Sequence, residues 1–309
     1  MGLALMAGLL ALAGFGGWRW AVAQGSAATL DWIDARFSRD VPVSLAAKGH
    51  YGKDAAQRAE LWVPGRAAGA DPAPLVVFIH GGGWHSGSPE EYRFVARTLG
   101  EAGFATALVG YRLVPSGRFP SMLEDSAAGV RWALEEASRQ GIQTDRVVLA
   151  GHSAGAYNVL MLGLDPQWLA GAGVRQGAIG GVVSLAGPAD FYPFTSDSAR
   201  NALGHVADPR TTQPIAVARA GAPPLFLLHG TADDVVRVRN ARNLAAAMRD
   251  ARGAVKTREY EGMGHAGIVM ALSKPFAQGG IVRDPFVAFA RKATATPSAA
   301  SVPVQRENR

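Results

Sequence analysis

Five short apolar runs punctuate this chain, and they leave little choice of architecture. They cover residues 75–79, 104–109, 147–150, 181–185 and 225–228, each bounded by Gly, Pro or Asp. A strand exposed on one face alternates apolar and polar residues. A run without alternation suits a strand covered on both faces, as in a parallel sheet. Helix-length segments lie between the runs, at about 89–102, 121–139, 154–163 and 238–251. The last is rich in Ala, Leu, Met and Arg, good helix formers. This alternation predicts an α/β fold, with a mostly parallel central sheet, right-handed crossovers and helices on both faces. Residues 61–64 and Val255–Tyr260 read as flanking strands, giving one domain over roughly 45–292.

Composition narrows the function classes. Hydrophobic residues make up 48% of the 309, too many for a mainly disordered chain. The absence of Cys excludes a disulfide scaffold, a thiolate metal site, a cysteine nucleophile and a lipid-modified N-terminal cysteine. The net charge of +6 comes from scattered cations, with no three in a row. A nucleic-acid partner would call for a basic run or a basic helix face, so none is expected.

The two ends differ from the middle. Residues 1–18 carry no charge, and as a helix they would span about 27 Å, close to the ~30 Å of a bilayer core. Ala21-Val22-Ala23 offers an A-x-A-like cleavage site. The expectation for residues 1–23 is therefore a signal peptide or membrane anchor, with a periplasmic, secreted or inner-membrane location. A buried N-terminal helix in a cytoplasmic protein is the alternative. Residues 294–309 are rich in Ala, Ser, Thr and Pro before a polar end, and read as a disordered tail.

Chemistry gathers where apolar runs end. After 147–150 comes Gly151-His152-Ser153-Ala154-Gly155, a G-x-S-x-G followed by helix-forming residues. A sharp strand-to-helix turn needs small residues beside the Ser, and it lifts the hydroxyl above the sheet. After 75–79 comes His80-Gly81-Gly82-Gly83-Trp84. Glycines uncover backbone N–H groups, which acyl transfer needs for the oxyanion of its transition state. Gly82, Gly83 and Ala154 are the candidate oxyanion donors. Neither phosphate-loop spacing fits these glycines, and no H-E-x-x-H or comparable metal motif is present, so no cofactor or metal is called for.

After 225–228 comes His229-Gly230-Thr231-Ala232-Asp233-Asp234. Asp233 is the candidate acid, with Asp234 and Asp190 as rivals. The order nucleophile, acid, base then points to His265, the one histidine beyond Asp233. Trp84, Phe191 and Ile268 follow these segments and are candidates for the substrate pocket. Arg112 and Asp125 read as a structural pair between a strand end and the next helix.

With these residues in place, the sequence resembles the α/β-hydrolase superfamily. It is most similar to bacterial carboxylesterases related to hormone-sensitive lipase and to arylformamidase-like esterases. The resemblance runs from Tyr51-Gly52 to His265. It includes His80 to Trp84, Tyr111-Arg112-Leu113 with Phe119-Pro120 and Glu124-Asp125, Gly151 to Ala156, Ala222-Pro223-Pro224, and His229-Gly230 through Asp233. It implies an α/β-hydrolase fold, Ser153 as nucleophile, Asp233 as acid, His265 as base, and oxyanion donors at Gly82, Gly83 and Ala154. His152 and Ala156 depart from the hormone-sensitive-lipase pattern and look closer to the arylformamidase-like branch. The expected activity is serine-dependent hydrolysis of small to medium acyl esters. An amide or peptide hydrolase on the same scaffold, such as an arylformamidase, is one alternative. A non-catalytic hydrolase-fold binding protein is another.

Overall fold

The computed structural model describes residues 27–65 and 69–295. The apolar runs form the middle of an eight-stranded sheet. In chain order the strands are β1 (Val43–His50), β2 (Arg58–Pro64), β3 (Pro74–Ile79), β4 (Ala105–Val109), β5 (Gln143–His152), β6 (Ile179–Leu185), β7 (Leu225–Gly230) and β8 (Val255–Tyr260). Their spatial order is β1-β2-β4-β3-β5-β6-β7-β8. β2 runs antiparallel to both neighbours, and all the other pairs are parallel. This is the α/β class that the strand–helix alternation predicts.

β3 shows why the runs lack polar alternation. Leu75, Val77 and Ile79 pack into a core on one face of the sheet, while Val76 and Phe78 pack into a second core on the other. The first core is covered by α3 (Ser121–Arg139), α4 (Ala154–Leu164), α5 (Pro166–Gly171) and α7 (Arg239–Asp250), through Met122, Leu160, Leu169 and Leu244. The short α6 (Asp197–Leu203) adds Ala199, Ala202 and Leu203 to it. The second core is covered by α1 (Ala27–Phe37), α2 (Arg93–Glu101), α8 (His265–Met270) and α9 (Arg283–Thr294), through Leu30, Phe94, Ile268 and Phe286. Burying such a side chain favours folding by ~1.5–3 kcal/mol.

α3 fills the segment 121–139 as expected, whereas 89–102 divides into a 3-10 turn (Pro89–Tyr92) and α2. Arg112 and Asp125 form the anticipated tie, with both guanidinium contacts at 2.7 Å. The Arg112 backbone N–H (2.9 Å) and Gln57 (2.8 Å) also donate to the Asp125 carboxylate.

Three elements go beyond the sequence expectations. β1 is an edge strand whose residues are all half-buried or exposed, and its Lys48 reaches Glu60 and Glu90 across the edge. α9 packs against the sheet through Phe286, Ala290 and Ala293. α1 precedes residue 45, where the domain was expected to start, and yet is anchored to it by charge. Asp34 is fully buried and accepts hydrogen bonds from Arg97 Nε (2.7 Å), the Lys274 backbone N–H (2.7 Å) and Ser38 Oγ (3.1 Å). Arg97 Nη2 donates in addition to Asp31 at 2.5 Å.

The expected leader at 1–23 lies outside the described residues, as does the expected tail from 296 onward. Thr294 is buried and ends α9. Among the described residues no helix is long and apolar enough to cross a membrane.

Candidate active site

The chain turns from β5 into α4 at Ser153. Its backbone sits at φ 54°, ψ −118°, in the left-handed half of conformational space. Such a conformation costs a non-glycine residue about 1–3 kcal/mol and persists only where its surroundings fix it. Here the Ser153 N–H donates to the Leu185 carbonyl at 2.9 Å, and its own carbonyl receives Tyr157 N–H at 3.0 Å. The flanking glycines are sterically required. A Cβ on Gly155 would lie 2.1 Å from the Ile79 carbonyl oxygen, and one on Gly151 would lie 2.4 Å from that of Gly155.

The hydroxyl thus presented meets His265, which opens α8 after β8. His265 Nε2 lies 2.8 Å from Ser153 Oγ, and Nδ1 lies 2.8 Å from Asp233 Oδ2. An ionised carboxylate only accepts, so Nδ1 carries the proton and Nε2 is left to accept from the serine. Asp233 Oδ1 accepts from the Val235 and Val236 N–H groups at 3.0 and 2.8 Å. His229 Nε2 lies 3.2 Å from Oδ2. Burial works to raise the Asp233 pKa, but the bonds from His229, His265 and Val236 outweigh it, and the pKa falls well below the usual carboxylate range. The rivals stand elsewhere. Asp190 accepts from Asn243 at 2.6 Å, and Asp234 is exposed to solvent.

The glycine loop lies alongside. Gly82 (φ 115°), Gly83 (φ 60°) and Trp84 (φ 63°) are successive left-handed residues. Their carbonyls are turned into the protein. Gly82 accepts from His85 and Ser86 N–H, and Gly83 accepts from Ser198 Oγ at 2.5 Å. Among the described residues the Gly82 and Gly83 N–H groups have no acceptor. Ala154 is the first residue of α4, where a helix leaves N–H groups without internal partners. All three residues line one cleft of about 600 Å³, together with Ser153 and His265.

Comparison with known proteins fits this arrangement. The sequence pattern of the BD-FAE family matches residues 61–248, more than half of the chain. The chain belongs to the BD-FAE family. Esterase LipC of Mycobacterium tuberculosis is 30% identical over 237 residues, 70% of this chain and 58% of LipC. Carboxylesterase NlhH of the same species is 40% identical over 86 residues, 28% of this chain and 27% of NlhH. The chain thus spans from about a quarter to about three-fifths of these relatives' lengths. Among solved structures, an inhibited esterase B from Lactobacillus rhamnosis superposes with a TM-score of 0.72 at 20% identity, covering 92% of this chain and 97% of that one. EstE1, a thermostable carboxylesterase from a metagenomic library, gives 0.68 at 20% identity, covering 87% and 96%. These likenesses establish an α/β-hydrolase fold.

In this BD-FAE member two pocket expectations hold a place on the cleft and one does not. Trp84 and Phe191 both line it, stacked at 6.3 Å between ring centroids. The Trp84 indole N–H donates to Asn158 Oδ1 at 3.3 Å, which fixes its orientation. Ile268 is a correction. It is fully buried in the second core and is not among the cleft-lining residues. It stands three residues beyond His265, on the inner face of α8, which turns toward the sheet.

The sequence reading missed the supports of this site. His152 Nε2 lies 3.3 Å from the His265 carbonyl oxygen, so that nitrogen carries the proton. Its Nδ1 then accepts from Tyr92 OH at 3.4 Å, and the Tyr92 oxygen receives Gly81 N–H at 3.2 Å. One buried chain of hydrogen bonds therefore joins the glycine loop to the candidate base. Burial, together with the neighbouring His265, pushes the His152 pKa down to about 3. His80, stacked on Tyr111 at 4.5 Å, is lowered by burial to about 4. Both rings are neutral near pH 7. His152 is visible in the sequence as the variable position of G-x-S-x-G, but nothing there signals its link to Tyr92.

Proposed function

We propose that this chain is a serine hydrolase of carboxylic esters. The observation that carries the reading is the line Asp233–His265–Ser153, with two contacts of 2.8 Å each, ending on a hydroxyl beside three uncovered N–H groups. His265, held in one tautomer by Asp233, takes the Ser153 proton as the oxygen attacks the ester carbonyl. The Gly82, Gly83 and Ala154 N–H groups hold the oxyanion, where loss of one donor typically costs ~3–4 kcal/mol of transition-state binding. His265 then protonates the leaving alcohol, and water, activated by the same imidazole, hydrolyses the acyl-enzyme. The depressed Asp233 pKa supports this role, since the acid must stay ionised while the imidazolium forms. The printed names of the relatives, esterase and carboxylesterase, support the same reaction class. A cleft of about 600 Å³ with Trp84 and Phe191 on its wall suits small to medium acyl groups.

The test is turnover of p-nitrophenyl acetate by the wild type and by Ser153→Ala. Turnover that survives the substitution unchanged removes Ser153 as nucleophile. Faster cleavage of N-formylkynurenine than of the acetyl ester would move the reading to an amide hydrolase.

A further inference from the structure

The loop from β7 to α7 carries Asp233 and then Arg237, and α7 opens on Arg239; the site just described leaves both arginine side chains unused. Arg237 and Arg239 both line the cleft that holds Ser153, and both are exposed. Among the described residues neither guanidinium has an ion-pair or hydrogen-bond partner. This contrasts with the arginines tied to carboxylates elsewhere in the chain, such as Arg93, Arg97, Arg112 and Arg242. Glu91 is the one carboxylate among the described residues lining the cleft. The described lining therefore carries two guanidinium groups against one carboxylate, and neither guanidinium is paired among the described residues.

The backbone under these arginines is fixed. Val235 and Val236 are held by the Asp233 carboxylate, and the Val236 carbonyl accepts from His229 Nε2 at 2.7 Å. The Arg237 carbonyl accepts from both the backbone N–H and the side-chain amide of Asn240, each at 2.9 Å. Asn240 is buried, and its Oδ1 receives the Ala189 and Asp190 N–H groups at 2.9 Å. That clamp binds the arginine loop to the segment bearing Phe191. Two long cationic side chains thus extend from a rigid base into the same space as the nucleophile. A guanidinium offers a planar fork of donors that matches a carboxylate in two-point contact.

We infer that Arg237 and Arg239 form an anion-receiving wall, and that the preferred substrates are esters bearing a negatively charged group, such as a carboxylate, on their acyl or alcohol half. The inference rests on the ester-hydrolase reading of Ser153 and adds its substrate class.

The test compares two matched pairs of esters on the whole protein. Mono-p-nitrophenyl adipate against p-nitrophenyl hexanoate places the charge on the acyl half. p-Acetoxybenzoate against p-acetoxybenzamide places it on the alcohol half. The wild type is expected to favour the anionic member of at least one pair in kcat/KM. The preference should shrink as salt is added, because exposed charges are screened within about 10 Å at 0.1 M. In the double variant Arg237→Gln with Arg239→Gln, the anionic-to-neutral ratio should fall about tenfold, the scale expected of two solvent-exposed charge pairs. The double Arg→Lys variant, which keeps the charge, should retain most of it. A wild type without preference in either pair overturns the inference, and so does a ratio that the double Gln variant leaves unchanged. Failure of the underlying reading looks different: no ester of either pair is cleaved, and a fluorophosphonate does not label Ser153.

Discussion

The floor of the cleft and its arginine wall are built on opposite terms. On the floor every polar side chain is committed. Ser153 meets His265, His265 meets Asp233, and Asp233 accepts from two backbone amides and lies against His229. On the wall Arg237, in the loop that carries Asp233, and Arg239, at the start of α7, have no partner of their own among the described residues. The difference separates two tasks. In the proposed reaction bond-making tolerates little displacement, which suits groups already held by hydrogen bonds. Choosing among substrates needs groups still free to pair.

The comparison predicts a steep order of effects. Removing the floor should be worst. Ser153→Ala should lower kcat by about a millionfold, the share that serine, histidine and acid supply together in such sites. Asp233→Asn should cost about ten-thousandfold in kcat, because the amide no longer fixes the His265 tautomer. Steady-state kinetics on an acetyl ester checks both, and an activity loss below tenfold in the Asn variant would remove Asp233 from the line. His152→Phe breaks the link between the glycine loop and His265 and should cost up to about a hundredfold in kcat, with KM little changed. A rise in KM alone would show that the link positions substrate rather than the reacting groups. The wall variants come last, with the tenfold change in charge preference given above.

Stability offers two further breaks. Arg97→Ala leaves the Asp34 carboxylate buried without its cation and should destabilise the fold by ~3–5 kcal/mol, read by denaturant titration. Two of the buried histidines, His152 and His80, predict the pH dependence. Their folded pKa values, about 3 and about 4, lie below the usual 6.5. Between about pH 6.5 and 4 the unfolded chain therefore binds protons that the folded one refuses. Stability should fall as pH is lowered through this window, by roughly 1 kcal/mol per pH unit for each histidine. His152→Phe should flatten that slope, while an unchanged slope would place the titrating groups elsewhere.

What could be read from the sequence divides along a similar line. The inner strands, α3 and the turn at Ser153 are legible because their constraints are local. An apolar run needs cover on both faces, and Gly151 and Gly155 must be small because the backbone passes within reach. α1, β1 and α9 are not legible, since each is fixed by distant partners. α1 depends on Arg97 and on the backbone of Lys274, and β1 is a polar edge strand recognisable only beside β2. In the site, Ser153, Asp233 and His265 follow from chain order and motif. Ile268 was placed on the wrong side because adjacency to His265 in sequence says nothing about which face of α8 points inward. Tyr92, His152 and Asn240 act through contacts spanning tens of residues, which no local pattern encodes.

The most direct measurement of the central claim is peptide mapping of the protein after reaction with a fluorophosphonate. One adduct per chain on Ser153, absent in Ser153→Ala and formed far more slowly in Asp233→Asn, is the predicted result. An unlabelled protein that still cleaves the acetyl ester, or an adduct on another residue, would contradict it.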